Sequence, residues 1–185
     1  MQGICKQFGA VKANKDINFS VLKGEIHAIV GENGAGKTTL MNILFGMLEP
    51  TAGKIRINGE PVKITSPNKA IRLGIGMVHQ HFELVPTFTV AENVCMGHEP
   101  QGRLGSVDKK EMVRQTRELA EQSGLRIDPE AKIKDLSVGL LQRVEILKAL
   151  SRGAEILILD EPTAVLTPLE CEELFTVLRR MSGED

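Results

Sequence analysis

Gly31-Glu32-Asn33-Gly34-Ala35-Gly36-Lys37-Thr38 fits the pattern G-x-x-x-x-G-K-[ST], and it follows directly on the strand-like Glu25-Ile26-His27-Ala28-Ile29-Val30. Behind it, Leu40-Met41-Asn42-Ile43-Leu44-Phe45 reads as a helix. Gly31, Gly34 and Gly36 lack Cβ, so the turn between strand and helix can take positive φ and point successive backbone N–H groups inward. A concave row of N–H groups at the positive end of a helix dipole is an anion site. The segment Gly31, Asn33, Gly34, Ala35 and Gly36, with Thr39 just behind it, is therefore expected to cradle phosphate groups. Lys37 adds a compact positive charge for the β and γ phosphates, and Thr38 places a hydroxyl where Mg²⁺ needs an oxygen ligand. A ligand-free turn would need one or two glycines and has no use for the Lys-Thr pair. The expected ligand is a nucleoside triphosphate with Mg²⁺.

A partner for this loop stands far along the chain. Glu155-Ile156-Leu157-Ile158-Leu159-Asp160 is a continuous apolar run of the kind buried in a parallel sheet, and it delivers two adjacent carboxylates to its end. Asp160 is expected to hold Mg²⁺ through its water shell, and Glu161 to polarise an attacking water as general base. The bland alternative, a strand end whose acids simply meet solvent, leaves the loop without a second half.

The 185 residues are enough for one good core, and 42% hydrophobic with 25% charged residues is an ordinary globular balance. The net charge of −1 comes from interspersed acids and bases, so no basic stripe points to nucleic acid. Cys5, Cys95 and Cys171 are odd in number, far apart and in no C-x-x-C pair, which suits reduced thiols rather than a disulfide framework or a zinc site. No apolar run reaches the length needed to cross a bilayer, and no signal peptide opens the chain, so a cytoplasmic chain is expected. His27, His79, His81 and His98 show no metal-ligand spacing and read as ordinary surface or core residues.

Asn58-Gly59 between Lys54-Ile55-Arg56-Ile57 and Pro61-Val62-Lys63-Ile64 predicts a hairpin, because both residues tolerate positive φ. Ser66, Pro67 and Gly74 bracket a short helix, followed by a buried strand at Ile75-Gly76-Met77-Val78-His79. From about Thr89 to Leu150 the pattern turns helical. Asp108 and Glu111 form a D-x-x-E cap, Met112, Val113, Thr116, Leu119 and Ala120 line one face, and Gly124 stops the helix. Thr167-Pro168-Leu169-Glu170 caps a last helix with Leu174, Phe175, Leu178 and Met181 on its inner side. The resulting division is a nucleotide-binding core with an antiparallel β part over 1–88, a helical part over 89–150, and a return to the core over 151–185.

Taken in order, the phosphate loop, Gln80, Leu136-Ser137-Val138-Gly139 ahead of Gln142-Arg143, and Ile156 to Glu161 followed by Pro162-Thr163 resemble the motifs of ATP-binding cassette (ABC) ATPases. The wording is most similar to the ATPase subunits of bacterial importers for simple sugars and nucleosides. The segments that carry this are Gly76-Met77-Val78-His79-Gln80-His81-Phe82, Thr89-Val90-Ala91-Glu92-Asn93-Val94, Val144-Glu145-Ile146-Leu147-Lys148-Ala149-Leu150 and Ala164-Val165-Leu166-Thr167-Pro168. The resemblance implies an α/β, P-loop NTPase core of ABC type with an antiparallel β subdomain and an inserted α-helical subdomain. It implies that Phe8 stacks on adenine, that Gln80 contacts Mg²⁺ and the attacking water, and that Ser137 and Gly139 bind the γ-phosphate held by an opposite ATPase domain. It implies as partners a second ABC ATPase domain, in the same or a tandem chain, and transmembrane permease subunits, with no nucleic acid. The place implied is the cytoplasmic face of the inner membrane, as a peripheral subunit.

Three departures qualify the resemblance. Val138 and Leu140 replace a glycine and a glutamine of the usual Leu-Ser-Gly-Gly-Gln, and Thr167 stands where the family has an aspartate that communicates across the dimer. The family's switch histidine follows the last helix, and the chain stops at Asp185 before reaching it, so a fragment of a longer polypeptide is expected. Other readings are a non-transport ABC ATPase, which would add coiled-coil or basic inserts not seen here, and a fragment that binds nucleotide without turning it over.

Overall fold

A computed structural model describes residues 1–102 and 105–183; the last two residues of the expected third segment, including Asp185, lie outside the described residues. Two strands open the chain, β1 (Gln2–Phe8) and β2 (Val11–Ile17), paired antiparallel about Gly9-Ala10. After α1 (Lys37–Leu44) come β3 (Ala52–Ile57) and β4 (Glu60–Val62), and the four strands form one sheet in the order β2-β1-β3-β4. The Asn58-Gly59 turn has φ of 52° and 84°, the positive pair that a tight hairpin needs, and it sets Ile57 opposite Glu60 and Ile55 opposite Val62. The predicted second strand ends early, because Ile64 leaves the ladder to bury its side chain in the core.

α2 (Pro67–Arg72) starts as its sequence predicts, with Ser66 Oγ accepting from the Lys69 N–H and proline in the first turn, and Gly74 at φ 77° follows its end. β5 (Ile75–Val78) is buried throughout and runs parallel to β6 (Ile156–Leu159), Ile75 facing Ile156 and Val78 facing Leu159. A parallel pair requires a long crossover, and this one carries α3 (Val90–Val94), α4 (Lys109–Ser123) and α5 (Val138–Ser151). Gly76 leaves no room for a side chain: a Cβ there would lie 2.8 Å from that of Ala154 and 2.9 Å from that of Ala149, so β5 rests directly on the end of α5. α6 (Pro168–Ser182) closes the described chain.

Two cores result. One lies between α1 and the sheets, around Ile4, Ile43, Ile55, Ile75 and Ile158. The other lies among the helices, around Val90, Val94, Leu125, Val144, Ile146 and Leu147. The α4 face is as predicted, with Met112, Thr116 and Ala120 buried. Its cap is one-sided. Asp108 Oδ1 accepts from the Glu111 N–H at 3.0 Å, but the Glu111 carboxylate turns outward to Arg114, whose guanidinium, helped by Gln115, holds it down to about 2.

Three expectations fail. The segment 25–30 is not a strand and all six residues are exposed, Val30 at 93%. Strand propensity is largely a statement about packing against neighbours, and no ladder among the described residues takes this segment. For the same reason β6 is only partly covered, with Ile158 alone fully buried. Phe175 is 42% exposed rather than inward, since it stands one residue, or about 100°, round α6 from the buried Leu174.

Candidate functional site

The phosphate loop is built on β2 as much as on its own glycines. Gly34 and Gly36 take φ of 84° and 90°, and a Cβ at Gly36 would overlap the Ala13 carbonyl oxygen. Asn14, only 6% exposed, donates from Nδ2 to the Gly36 carbonyl at 3.1 Å. Its Oδ1 has no partner. Lys37 lies back over the loop, donating from Nζ to the carbonyls of Gly31 at 2.7 Å and Glu32 at 2.9 Å. The α1 helix begins at Lys37 with Gly36 as its cap, so its first N–H groups open on this concavity.

Folding brings the two halves of the predicted site together. Thr38 Oγ1 donates to Asp160 Oδ1 at 3.2 Å, across 122 positions of sequence. The parallel ladder sets this up: the Asp160 N–H donates to the Val78 carbonyl, which puts the ends of β5 and β6 side by side. Glu161 then takes φ 49°, a left-handed backbone uncommon for a residue with a side chain. Gln80, two residues beyond β5, donates from Nε2 to Glu161 Oε2 at 2.9 Å. Thr38, Asp160, Glu161 and Gln80 therefore form two linked pairs at one sheet end, an all-oxygen acceptor set suited to a hard cation that also takes phosphate oxygens. Among the described residues no group of three or more His, Cys, Asp or Glu could hold a metal.

The other predicted residues stand elsewhere. Phe8, at the β1–β2 turn, is 46% exposed, and the Lys6 ammonium lies 5.0 Å from its ring centroid. Ser137 caps α5, its Oγ accepting from the Leu140 N–H at 3.4 Å. The Gly139 N–H donates to Glu170 Oε1 at 3.3 Å, and a Cβ on Gly139 would overlap that carboxylate. Glu170 is thus shared by two helix starts. It also closes the capping box of α6, accepting from the Thr167 N–H at 2.9 Å while Thr167 Oγ1 accepts from its own N–H at 3.3 Å. Sequence reasoning placed Thr167 and Glu170 in that box but missed the reach to Gly139, a tertiary contact with no local signal.

These bonds fix the sign of a pH effect. The Thr167 N–H, then the Thr167 hydroxyl, the Gly139 N–H and the charge of Arg143 hold the Glu170 carboxyl below its usual range. A depressed folded-state value contributes stability above the unfolded value and loses it as pH falls through the folded one. Amide protection of the first turns of α5 and α6 is expected to hold through neutral pH and drop in acid, below the ordinary carboxylate range. Hydrogen exchange followed against pH checks this, and a Glu170→Gln protein should lose the acid step; an unchanged step in that protein would assign it to another group.

Of the histidines, His27 stacks on Phe19 at 5.8 Å and meets Glu25 at 2.9 Å, and His79 packs edge-on against Phe45 at 5.9 Å. Cys5, Cys95 and Cys171 are free. Among the described residues no helix is long and apolar enough to cross a membrane.

A phosphate loop opening α1, with Asp160 and Glu161 ending the neighbouring strand, defines a P-loop nucleotide-binding domain of α/β class. Comparison with known proteins narrows the class. The family described as ABC transporter matches residues 14–164. The chain is 56% identical over its whole length to the guanosine import ATP-binding protein NupO of Bacillus subtilis, covering 36% of that protein. It is 48% identical to the ribose import ATP-binding protein RbsA 1 of Rubrobacter xylanophilus, covering 37% of it. The chain thus spans about a third of the length of these relatives. Among solved structures, the dimeric bacterial ABC transporter cassette MJ0796 superposes with a TM-score of 0.79 at 27% identity, over 100% of this chain and 82% of that one. The chain belongs to the ABC transporter family, as an ATP-binding cassette domain.

Proposed function

We propose that this domain binds and hydrolyses MgATP to drive an importer for nucleosides or simple sugars. The observation that carries the hydrolysis is the convergence of Thr38–Asp160 and Gln80–Glu161 beside the loop that holds Lys37. Lys37 and the N–H groups of Gly31, Asn33, Gly34, Ala35, Gly36, Thr38 and Thr39 take the phosphate oxygens. Thr38, Asp160 and Gln80 are the residues that would hold Mg²⁺, which when bound screens the charge of the β and γ phosphates. Glu161 takes a proton from the attacking water, and Gln80 orients that water and the Glu161 carboxylate. Phe8, at the tip of the hairpin whose second strand underlies Gly36, offers its exposed face to adenine.

Residues 1–88 and 151–185 serve as the nucleotide-binding core, and 89–150 as the helical arm that presents Ser137 and Gly139. These two meet the γ-phosphate of a nucleotide held by a second ATPase domain. Backbone rather than side chain supplies this contact, so Val138 and Leu140 do not remove it, but the Gly139 and Leu140 N–H groups must first leave Glu170 Oε1 and Ser137 Oγ, which hold them here. Permease subunits are the remaining partners, and they place the domain against the cytoplasmic face of the membrane. Identity to NupO above that to RbsA 1 favours a nucleoside over a sugar. Uptake into vesicles holding the natural full-length protein and its permease tests this. ATP-dependent accumulation of labelled guanosine over ribose is expected; preference for ribose reverses the solute, and uptake indifferent to ATP ends the transport reading.

A further inference from the structure

Two buried polar side chains on α5 are used by nothing described so far. Gln142 is 3% exposed and donates from Nε2 to the Pro162 carbonyl at 2.9 Å, immediately after Glu161, while its Oε1 is unpartnered. Glu145, one turn on and 7% exposed, accepts from the Glu83 N–H at 2.6 Å. Lys148, a further turn on, donates from Nζ to the Glu83 carbonyl at 2.8 Å and lies 3.5 Å from the Glu145 carboxylate. Spacings of three place all three side chains along one stripe of the helix.

The stripe grips both arms of the hydrolytic pair. Glu83 has its N–H and its carbonyl held by α5, and two residues later Val85 is held the same way by Asn93 of α3, at 2.7 and 3.2 Å. β5 fixes the chain as far as Val78. Only residues 79–82 are left between two anchored points, and Gln80 is among them. On the other arm, the left-handed Glu161 is followed at once by the carbonyl that Gln142 holds. The Gln80–Glu161 bond closes the circuit.

Burying a carboxylate and an amide here is costly. A hydrophobic pair of similar volume would pack as well without the desolvation, so the core itself does not call for them. What they do that leucine cannot is fix two peptide groups beside the reacting residues. We propose that Gln142 and Glu145, with Lys148, are positioning residues for hydrolysis. They set the distance between Gln80 and Glu161 and tie it to the placement of α5, whose first turn carries Ser137 and Gly139. A shift of α5 on engagement of a second domain is thereby felt at the water-activating pair. The inference rests on the reading of Glu161 as general base.

Steady-state kinetics of the natural full-length protein test it. Glu145→Ala and Gln142→Ala are each expected to lower kcat about tenfold with KM for MgATP unchanged, because a displaced base costs turnover and not ground-state binding. Glu145→Gln keeps an acceptor for the Glu83 N–H and should recover most of the rate. In a Gln80→Ala background Glu145→Ala should add little further loss, since it acts through Gln80. KM rising in step with the loss, or full additivity in the Gln80→Ala background, would overturn the proposal. If Glu145→Ala does not fold, Lys148→Met, which frees the Glu83 carbonyl and takes the cation away from the Glu145 carboxylate, makes the same comparison. Glu161→Gln separates the two readings: retained turnover there sinks the base assignment, whereas its loss alongside unchanged kcat in both α5 variants sinks the positioning role alone.

Discussion

Lys37→Ala is expected to abolish nucleotide binding. The ammonium sits over the loop with the Gly31 and Glu32 carbonyls as its partners, so the side chain is already placed where phosphate oxygens arrive. A charge-assisted contact to two phosphates is worth about 3 kcal/mol or more, which is a hundredfold or greater loss in affinity. The fold should tolerate the change, because Lys37 is a half-buried residue at the first position of α1 and the buried face of that helix is Leu40, Ile43 and Leu44. Titration calorimetry with MgATP on wild type and variant reads the effect, with circular dichroism as a control for folding. Undiminished affinity would remove the loop from the site.

The second large effect separates binding from chemistry. Glu161→Gln should leave MgATP affinity within a few-fold of wild type and lower kcat by a factor of about 10² to 10⁴, the usual worth of a positioned general base. Glutamine is isosteric, and its amide oxygen can still accept from Gln80 Nε2, so the 2.9 Å link and the backbone turn at φ 49° survive. What goes is the ability to take a proton. Burst and steady-state measurements with labelled ATP decide it: a variant that turns over at the wild-type rate would show that the base lies elsewhere.

What the sequence displayed was what is encoded within a few residues. The Asn58-Gly59 hairpin, the Ser66 and Thr167 caps and the Gly124 stop each depend on neighbours in the chain, and each has the predicted local geometry; in the Lys37-Thr38 loop Gly34 and Gly36 take the expected positive φ and Gly31 does not. The link between Thr38 and Asp160 was legible for another reason: two motifs with complementary chemistry need each other. The segment 25–30 was misread because an apolar, β-branched run says that a strand is possible but not which ladder will accept it. Phe175 was misplaced by about one residue of helical phase. Asn14, Gln142 and Glu145 were passed over as functional residues, since a lone amide or acid in an amphipathic stretch looks like any solvated residue until burial is known. The one available signal was a polar residue at an inward position, such as Gln142 and Glu145 among the apolar residues of α5.

The stripe on α5 also governs which changes this chain can absorb over time. A substitution on α5 alters one side chain, but an inserted or deleted residue between Gly139 and Gln142 turns everything beyond it by about 100° around the helix axis. Gln142, Glu145 and Lys148 would then leave Glu83 and Pro162 together, and Val144, Ile146 and Leu147 would leave the core with them. Related sequences should therefore differ in the letters of α5 while keeping its length, and crossovers that divide this helix should yield active chimaeras only where they preserve that length.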